Sequence, residues 1–593
     1  MKLSVYARHD LVDADLSPAS PALLLEGSWA AAAAAPLRWS LDAAISPRHA
    51  WIDEQAAEWA ESLAKDGLFL PRGNPLGRLS SADLNVLELR YYLVKLLRLV
   101  AFFTEVRPLG AAESVELSAQ RHRDEDYADV LEQLSRRAGV DCRVRWIDAT
   151  PPAAAVFPHN GGLRQLAAWV AQRCERRDAS YRRRPRVVLC GNPHLLDPVC
   201  GELLRRRASV WWLFDRFAVK PYLRWRPRGV RQLVCNASFG EENRFYNHLP
   251  DRLDCFGVNL APAVGRWLTE RLSSHGPRQT RLVEQIDSHF QQVAADVLIL
   301  EEDATPLGRA AVAIAQHHGT ASMVVQHGAP CCRFGFAPLA ADRILVWGES
   351  SREQLVRWGV PAEQIRVTGS PRHDRLHARF AKTGRFEAIR RAVRRAADQP
   401  HFLLLATMPP RDDRPDAVTL GLNTRTYAEM LRTVMAVVAR RPGAQLTIKL
   451  HPRAAADPIV RQALREFPQV EARLIQRPTL EETLRGVDCV FSCGSSGGVD
   501  ATLAGIPVIQ VLPPGVNELL PHQSWGLTGT AHSETELETL LRQTLDLPIA
   551  EPTIVDPRVL GDFQRPAVER IVEEIFALSG LSAYGRPPSQ QAA

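Results

Sequence analysis

Hydrophobic and polar positions change their period along this chain. Residues 1–105 read mostly as helix and loop, with leucines and aromatics recurring at helical spacing over 83–103. From about residue 112 the apolar positions gather into short β-like runs separated by helical stretches, at 114–119, 142–147, 187–190, 210–214, 232–235, 297–300 and 323–326. A second series follows 366–368 and a basic helical stretch at 386–397, with runs at 402–406, 446–450, 470–475, 489–492 and 508–511. Strands alternating with helices predict parallel sheets joined by crossover helices. Two such series predict an α/β protein with two doubly wound, Rossmann-like domains facing each other across a cleft. The expected division is a mainly helical accessory region over 1–105, a first Rossmann-like domain over 106–385 and a second over 386–579. A Pro-, Ser- and Gln-rich flexible tail over 580–593 follows.

Length agrees with that division, because 593 residues exceed what one hydrophobic core organises. Hydrophobic residues at 46% and charged residues at 24% are those of a folded globular chain. The net charge of +6 fits an anionic substrate. Nucleic acid is not an expected partner, since the basic residues form no concentrated stripe. Ten cysteines without a CxxC pair read as reduced thiols. Neither 1–10 nor the alanine run at 30–35 has the pattern of a leader, and no stretch approaches the ~20 apolar residues of a membrane span. The expected location is the cytoplasm, with peripheral contact at the inner membrane left open.

Three motifs lie where an open α/β sheet builds its ligand crevice, just past the carboxyl end of a strand. The run 446–450 ends in His451-Pro452-Arg453, and the proline forces the chain out of regular structure. An imidazole there can donate to a phosphate oxygen, with Lys449 and Arg453 adding charge; the plain alternative is a strand-terminating turn. The run 489–492 gives way to Ser495-Ser496-Gly497-Gly498 and then to a helical run. Free amides, short hydroxyls and glycines make a phosphate cradle in outline, although an ordinary glycine-rich turn has the same composition. The sequence is neither GxGxxG nor a Walker loop, so nicotinamide and P-loop readings are disfavoured. Asp500 either accepts ribose hydroxyls or complements the helix dipole.

The run 297–300 ends in three consecutive carboxylates, Glu301, Glu302 and Asp303. A carboxylate at a strand end facing a cleft can serve as general base towards a hydroxyl, and Asp303, then Glu302, are the preferred candidates. Helix capping is the competing role, since Thr305-Pro306 follow. The next run ends in Gln326-His327-Gly328, which places His327 nearby to orient or assist the acceptor hydroxyl.

Residues 303–309, 324–328, 341–348 and 367–372 resemble the bacterial surface-polysaccharide glycosyltransferases of GT-B fold. His451-Pro452 and Ser495-Ser496 resemble the His-Pro and Ser-Ser/Thr motifs of bacterial sialyltransferases and Kdo transferases, which use CMP-sugars. The same regions also resemble the CDP-glycerol glycerophosphotransferases, in which a His-Gly histidine is the proposed base. The resemblance covers roughly residues 295–530. It implies that an acidic residue of the first domain deprotonates the acceptor and that His451, Ser495 and Ser496 of the second hold the nucleotide phosphate; Lys449, Pro452, Arg453, Gly497, Asp500, Gln326 and Gly328 are the further residues expected to line the substrates. It further implies inverting transfer from a nucleotide-sugar, in the CMP-sugar class such as Kdo or sialic acid, to a surface-polysaccharide or lipid-linked glycan acceptor. No metal or other cofactor is expected, because a monophosphate leaving group needs no diphosphate-chelating ion. A UDP-sugar transferase or epimerase and a non-catalytic scaffold of glycan assembly are the other readings. The arginine- and tryptophan-rich stretch 203–231 either touches an anionic membrane or lipid-linked acceptor, or supplies ordinary core.

Overall fold

The computed structural model describes residues 2–8, 11–12, 21–26, 38–41, 48–65, 81–106, 108–121, 123–147, 184–235, 253–330, 333, 335–380, 393–394, 399–407, 424–451, 454, 457–476, 479–512, 523, 525, 529–546 and 556–578. Among these, three parallel sheets organise the chain. The first sheet contains β1 (Lys2–Arg8), β2 (Ala22–Glu26), β3 (Arg38–Ser40), β4 (Ser114–Gln120) and β5 (Asp141–Ile147), in the order β3-β2-β1-β4-β5. The second contains β6 (Arg186–Cys190), β7 (Ser209–Phe214), β8 (Arg231–Val234), β9 (Val297–Leu300), β10 (Ala321–Val325), β11 (Arg343–Val346) and β12 (Ile365–Val367), in the order β12-β11-β10-β9-β6-β7-β8. The third contains β13 (His401–Leu405), β14 (Gln445–Lys449), β15 (Ala472–Ile475), β16 (Cys489–Ser492), β17 (Val508–Val511) and β18 (Gly529–Ala531), in the order β15-β14-β13-β16-β17-β18.

This is the α/β, GT-B-like architecture expected, with two doubly wound sheets carrying helices on both faces. The central strands show why their apolar runs are continuous. In β9, Val297 and Ile299 enter one core while Leu298 and Leu300 enter the other. In β13, Leu403 and Leu405 face one layer while Phe402 and Leu404 face the opposite one. A strand covered on both sides must be apolar at every position. In each of these two sheets the strand order reverses beside the central pair, at β6/β9 and at β13/β16, so a crevice opens at the carboxyl edge there.

The N-terminal stretch differs from the expectation. Its long helices, α1 (His49–Lys65) and α2 (Val86–Glu105), lie on a parallel sheet of their own. Leu3, Val5 and Ala7 of β1 share a core with Leu89, Leu93 and Leu97 of α2. Strands β4 and β5, assigned from sequence to the domain over 106–385, pair with β1 and with each other. The dominant helical period of α2 masked strands as short as the five residues of β2.

The C-terminal end also departs from the expected boundary at 579. Helix α3 (Pro193–Arg205) follows β6, and α7 (Ala567–Leu578) follows the third sheet yet returns to the second. Ile571, Val572, Ile575 and Phe576 of α7 pack with Leu196, Val199 and Leu203 of α3 and with Val187 and Ile299. Arg343 at the start of β11 donates to Glu574 at 2.8 Å. The helices between α3 and α7 that bear on function are α4 (Val219–Trp225), α5 (Pro306–His317) and α6 (Gly497–Leu503). Residues 386–397, apart from 393 and 394, and the tail lie outside the described residues.

One half-buried carboxyl in the N-terminal unit gives a stability prediction. Asp53 on α1 has an enclosed Oδ1 without a hydrogen bond, and burial pushes its carboxyl up to about 7 against the opposing pull of Arg98. A folded-state value above the ordinary 3.8 favours the fold while the group is protonated, and that contribution is lost as pH rises through about 7. Asp53→Asn therefore raises stability at pH 8 by on the order of 1–2 kcal/mol, and by much less at pH 4. Thermal denaturation at both pH values checks this, and equal shifts at the two would show the carboxyl to be ionised throughout.

Candidate functional site at the carboxyl edges

The carboxyl end of β9 delivers the three acidic residues, and the structure gives them different tasks. Asp303 is buried, and its Oδ2 accepts the backbone N–H groups of Ala340 at 2.6 Å and Ala341 at 3.0 Å. Its lone pairs hold the loop before β11 in place. Anchoring thus engages Oδ2 of the residue preferred as general base. Thr305 caps α5 by accepting the Gly308 N–H at 3.2 Å, with Pro306 in the first turn. Gly308 lies so close to this turn that a Cβ would come 2.3 Å from the Glu302 carbonyl oxygen. Glu301 accepts the backbone N–H of Asn192 beyond β6, which ties the two strand ends at the reversal point. Glu302 is half-buried, and its Oε1 would lie 3.3 Å from a Cβ placed on Gly335.

His327 lies just beyond β10 and is half-buried. Its Nδ1 lies 3.2 Å from the Glu301 carbonyl oxygen, which can only accept. Nδ1 therefore carries the hydrogen, and in the neutral ring Nε2 is the acceptor. The ring is held from one side by Phe336, stacked at 5.0 Å between centroids and 10° between planes. Gln326, expected to bind substrate, is buried instead. Its amide donates to the Gly328 carbonyl at 2.9 Å and to Ser351 Oγ at 3.1 Å, and it accepts the Trp347 N–H at 2.8 Å. It locks the turn that carries His327 and Gly328. The N-terminal unit steadies this support: Arg90 of α2 donates to the Ala337 carbonyl at 2.7 Å, beside Phe336.

The third sheet supplies the second wall. Ser492 at the end of β16 accepts the Ser495 N–H at 3.1 Å, and Ser495 Oγ accepts the Gly497 N–H at 3.3 Å, closing a tight turn into α6. Gly494 takes φ +81° there, which favours glycine. Ser496 stands at the helix start and makes no capping bond through its side chain. Gly497 was expected to let a ligand approach the backbone, but a Cβ on it would meet Leu480 at 2.8 Å and Leu405 at 3.1 Å. Its small size serves packing beneath the turn. His451 follows β14 and is half-buried, and its carbonyl accepts the Ala454 N–H at 2.9 Å; Pro452 and Arg453 lie outside the described residues. Lys449 donates to the Gln476 carbonyl at 3.2 Å, and burial lowers its ammonium below the ordinary value.

The two carboxyl edges meet. Ala329, two residues past His327, and Trp347, at the end of β11, share a buried cluster with Val499 and Leu503 of α6 and with Val559 and Leu560 of the returning C-terminal segment. Asp500 of α6 is buried and forms an ion pair with Arg372, which follows β12. Burial raises its carboxyl, opposed chiefly by Arg372. Asp500 is thus committed to a bond between the domains, which replaces the ribose contact expected of it. His373 lies edge-on against Trp347 at 4.6 Å, and burial drives its imidazole down to about 3, so it is neutral. Phe336, Trp347, Arg372 and His373 were not singled out from the sequence, because their roles depend on neighbours distant in the chain.

No family model and no curated protein matches the chain. Among solved structures, the UDP-GlcNAc 2-epimerase of Methanocaldococcus jannaschii, in complex with UDP-GlcNAc and UDP, is similar at 13% identity and a TM-score of 0.42, over 66% of this chain and 99% of that one. The UDP-GlcNAc 2-epimerase of Neisseria meningitidis, bound to UDP-GlcNAc, is similar at 14% identity and a TM-score of 0.42, over 66% and 100%. A glycosyltransferase from Rickettsia africae is similar at 8% identity and a TM-score of 0.41, over 67% and 100%.

Proposed function

We propose that this protein is a glycosyltransferase that moves a sugar from a nucleotide-activated donor to a hydroxyl acceptor by direct, inverting displacement. The observation that carries the reading is the meeting of the two carboxyl edges. Ala329, two residues past His327, packs there with Val499 and Leu503 of the helix that follows Ser495-Ser496. In this scheme Nε2 of His327 takes the acceptor proton, the acceptor oxygen attacks the anomeric carbon, and the nucleotide phosphate departs with the bonding pair. Ser495, Ser496 and His451 stabilise the charge gathering on that phosphate. Glu302 flanks the proton acceptor, and domain closure over the seam limits donor hydrolysis.

The donor class we put forward is a CMP-sugar such as Kdo or sialic acid, and the acceptor a surface-polysaccharide or lipid-linked glycan. Support for cytidine comes from the resemblance of His451-Pro452 and Ser495-Ser496 to the CMP-sugar motifs. One observation favours a second reading. With Asp303 engaged by backbone amides and His327 retaining Nε2, the base matches the histidine proposed for CDP-glycerol glycerophosphotransferases. Both reactions release CMP.

Thermal melting with CMP, CDP, UDP, CMP-sugars and CDP-glycerol separates the readings. A ligand at 100 times its Kd adds about 2.7 kcal/mol of stability to the folded state. The expected result is stabilisation by cytidine ligands that His451→Ala abolishes. Stabilisation by UDP ligands alone would move the assignment to a UDP-sugar transferase or epimerase. No response to any nucleotide would favour the non-catalytic scaffold.

A further inference from the structure

We infer that the outer face of α4 docks the protein on an anionic lipid surface. Two large apolar side chains stand exposed on this helix four residues apart, Val219 at 46% and Leu223 at 67% relative exposure. Residues so spaced share one helix face. Exposed cations surround them: Arg216, Lys220, Arg224 and Arg228. Two carboxylates lie close by, the exposed Asp215 and the largely buried Asp197, which pairs with Arg224 at 2.6 Å. Apolar side chains ringed by cations match the boundary between headgroups and acyl chains of a negatively charged leaflet.

The inner side of α4 is fixed, so the outer face is presented rigidly. Trp225 is buried and donates from Nε1 to Asp197 at 2.7 Å, and the Arg224 and Arg228 guanidinium groups lie 5.2 and 5.0 Å from its ring centre. Phe217 packs on Tyr222 at 5.1 Å. These contacts divide the aromatics of this stretch: Trp211, Trp212, Phe217 and Trp225 belong to cores, and the exposed apolar face belongs to Val219 and Leu223. The position also suits a membrane-borne acceptor. Leu213 of β7 pairs with Cys190, and Cys190 pairs with Leu300, so α4 starts from the same sheet edge as Glu302 and His327. Docking itself does not depend on the transfer chemistry.

Vesicle co-sedimentation of the full chain tests the inference, with phosphatidylcholine vesicles against vesicles half phosphatidylglycerol. The expected result is binding to the anionic vesicles, weakened by salt. Arg216→Glu/Lys220→Glu reduces it by about fivefold or more per charge, and Val219→Ser/Leu223→Ser by about tenfold or more. All variants should melt with the wild type, because the substituted side chains are exposed. Failure of the wild type to bind anionic vesicles would overturn the inference, as would undiminished binding by both double variants. Self-association without lipid that Val219→Ser/Leu223→Ser abolishes would assign the face to a second copy instead.

Discussion

His327→Asn lowers turnover by about 10²–10⁴-fold while leaving donor-induced thermal stabilisation intact, the loss typical of removing a positioned general base. Asparagine places its amide N–H where Nδ1 stands, so the bond to the Glu301 carbonyl survives and only Nε2 is removed. Packing on Phe336 is reduced but the turn remains locked by Gln326. Release of CMP from the stabilising donor is the assay. Asp303→Asn provides the contrast. An amide oxygen still accepts the Ala340 and Ala341 N–H groups, so this variant keeps activity within about tenfold of wild type. Loss of turnover in Asp303→Asn without loss of stability, alongside an active His327→Asn, would return the base to the acidic cluster.

The second large effect concerns the bond between the domains. Arg372→Ala leaves the Asp500 carboxylate buried, with Oδ1 already lacking a hydrogen bond and Oδ2 now without its guanidinium. Removing one member of a fully buried pair costs about 3–5 kcal/mol; Arg372 reaches solvent, so about 2–3 kcal/mol is expected. The sign with pH follows from the raised carboxyl. Its protonated form is favoured in the fold, so the penalty grows as pH rises and shrinks as pH falls. Arg372→Ala should therefore lose more stability at pH 8 than at pH 5, and Arg372→Ala/Asp500→Asn should recover much of the loss at pH 8. Urea denaturation of the three variants reads this directly. An Arg372→Ala protein as stable as wild type at pH 8 would show that Asp500 is not ionised in the folded state.

The architecture of the second and third sheets was legible in the sequence, because a strand buried on both faces must be apolar throughout and its crossover helix must repeat beside it. The strand ends at 300, 325, 449 and 492 fall within one residue of the ends read from the sequence, at 300, 326, 450 and 492, for the same reason. Capping at this turn was read from the sequence as a role for Asp303, but Thr305 supplies it by accepting the Gly308 N–H.

What a side chain does once it arrives depends on residues far along the chain. Asp303 is an anchor because Ala340 and Ala341 bring two amides to it, and Asp500 bridges the domains because β12 ends beside α6. Gly497 is small because Leu480 and Leu405 lie beneath it. Strands β1, β2 and β3 escaped notice because β1 completes its hydrogen bonding only through β4, more than a hundred residues later. In the second and third sheets the sequence alone determined which segments form strands and where their carboxyl ends fall, since hydrophobic period is a local property. Which groups remain free for chemistry was decided only by the tertiary structure, since a lone pair is spent or spared by whatever the fold brings within about 3 Å of it.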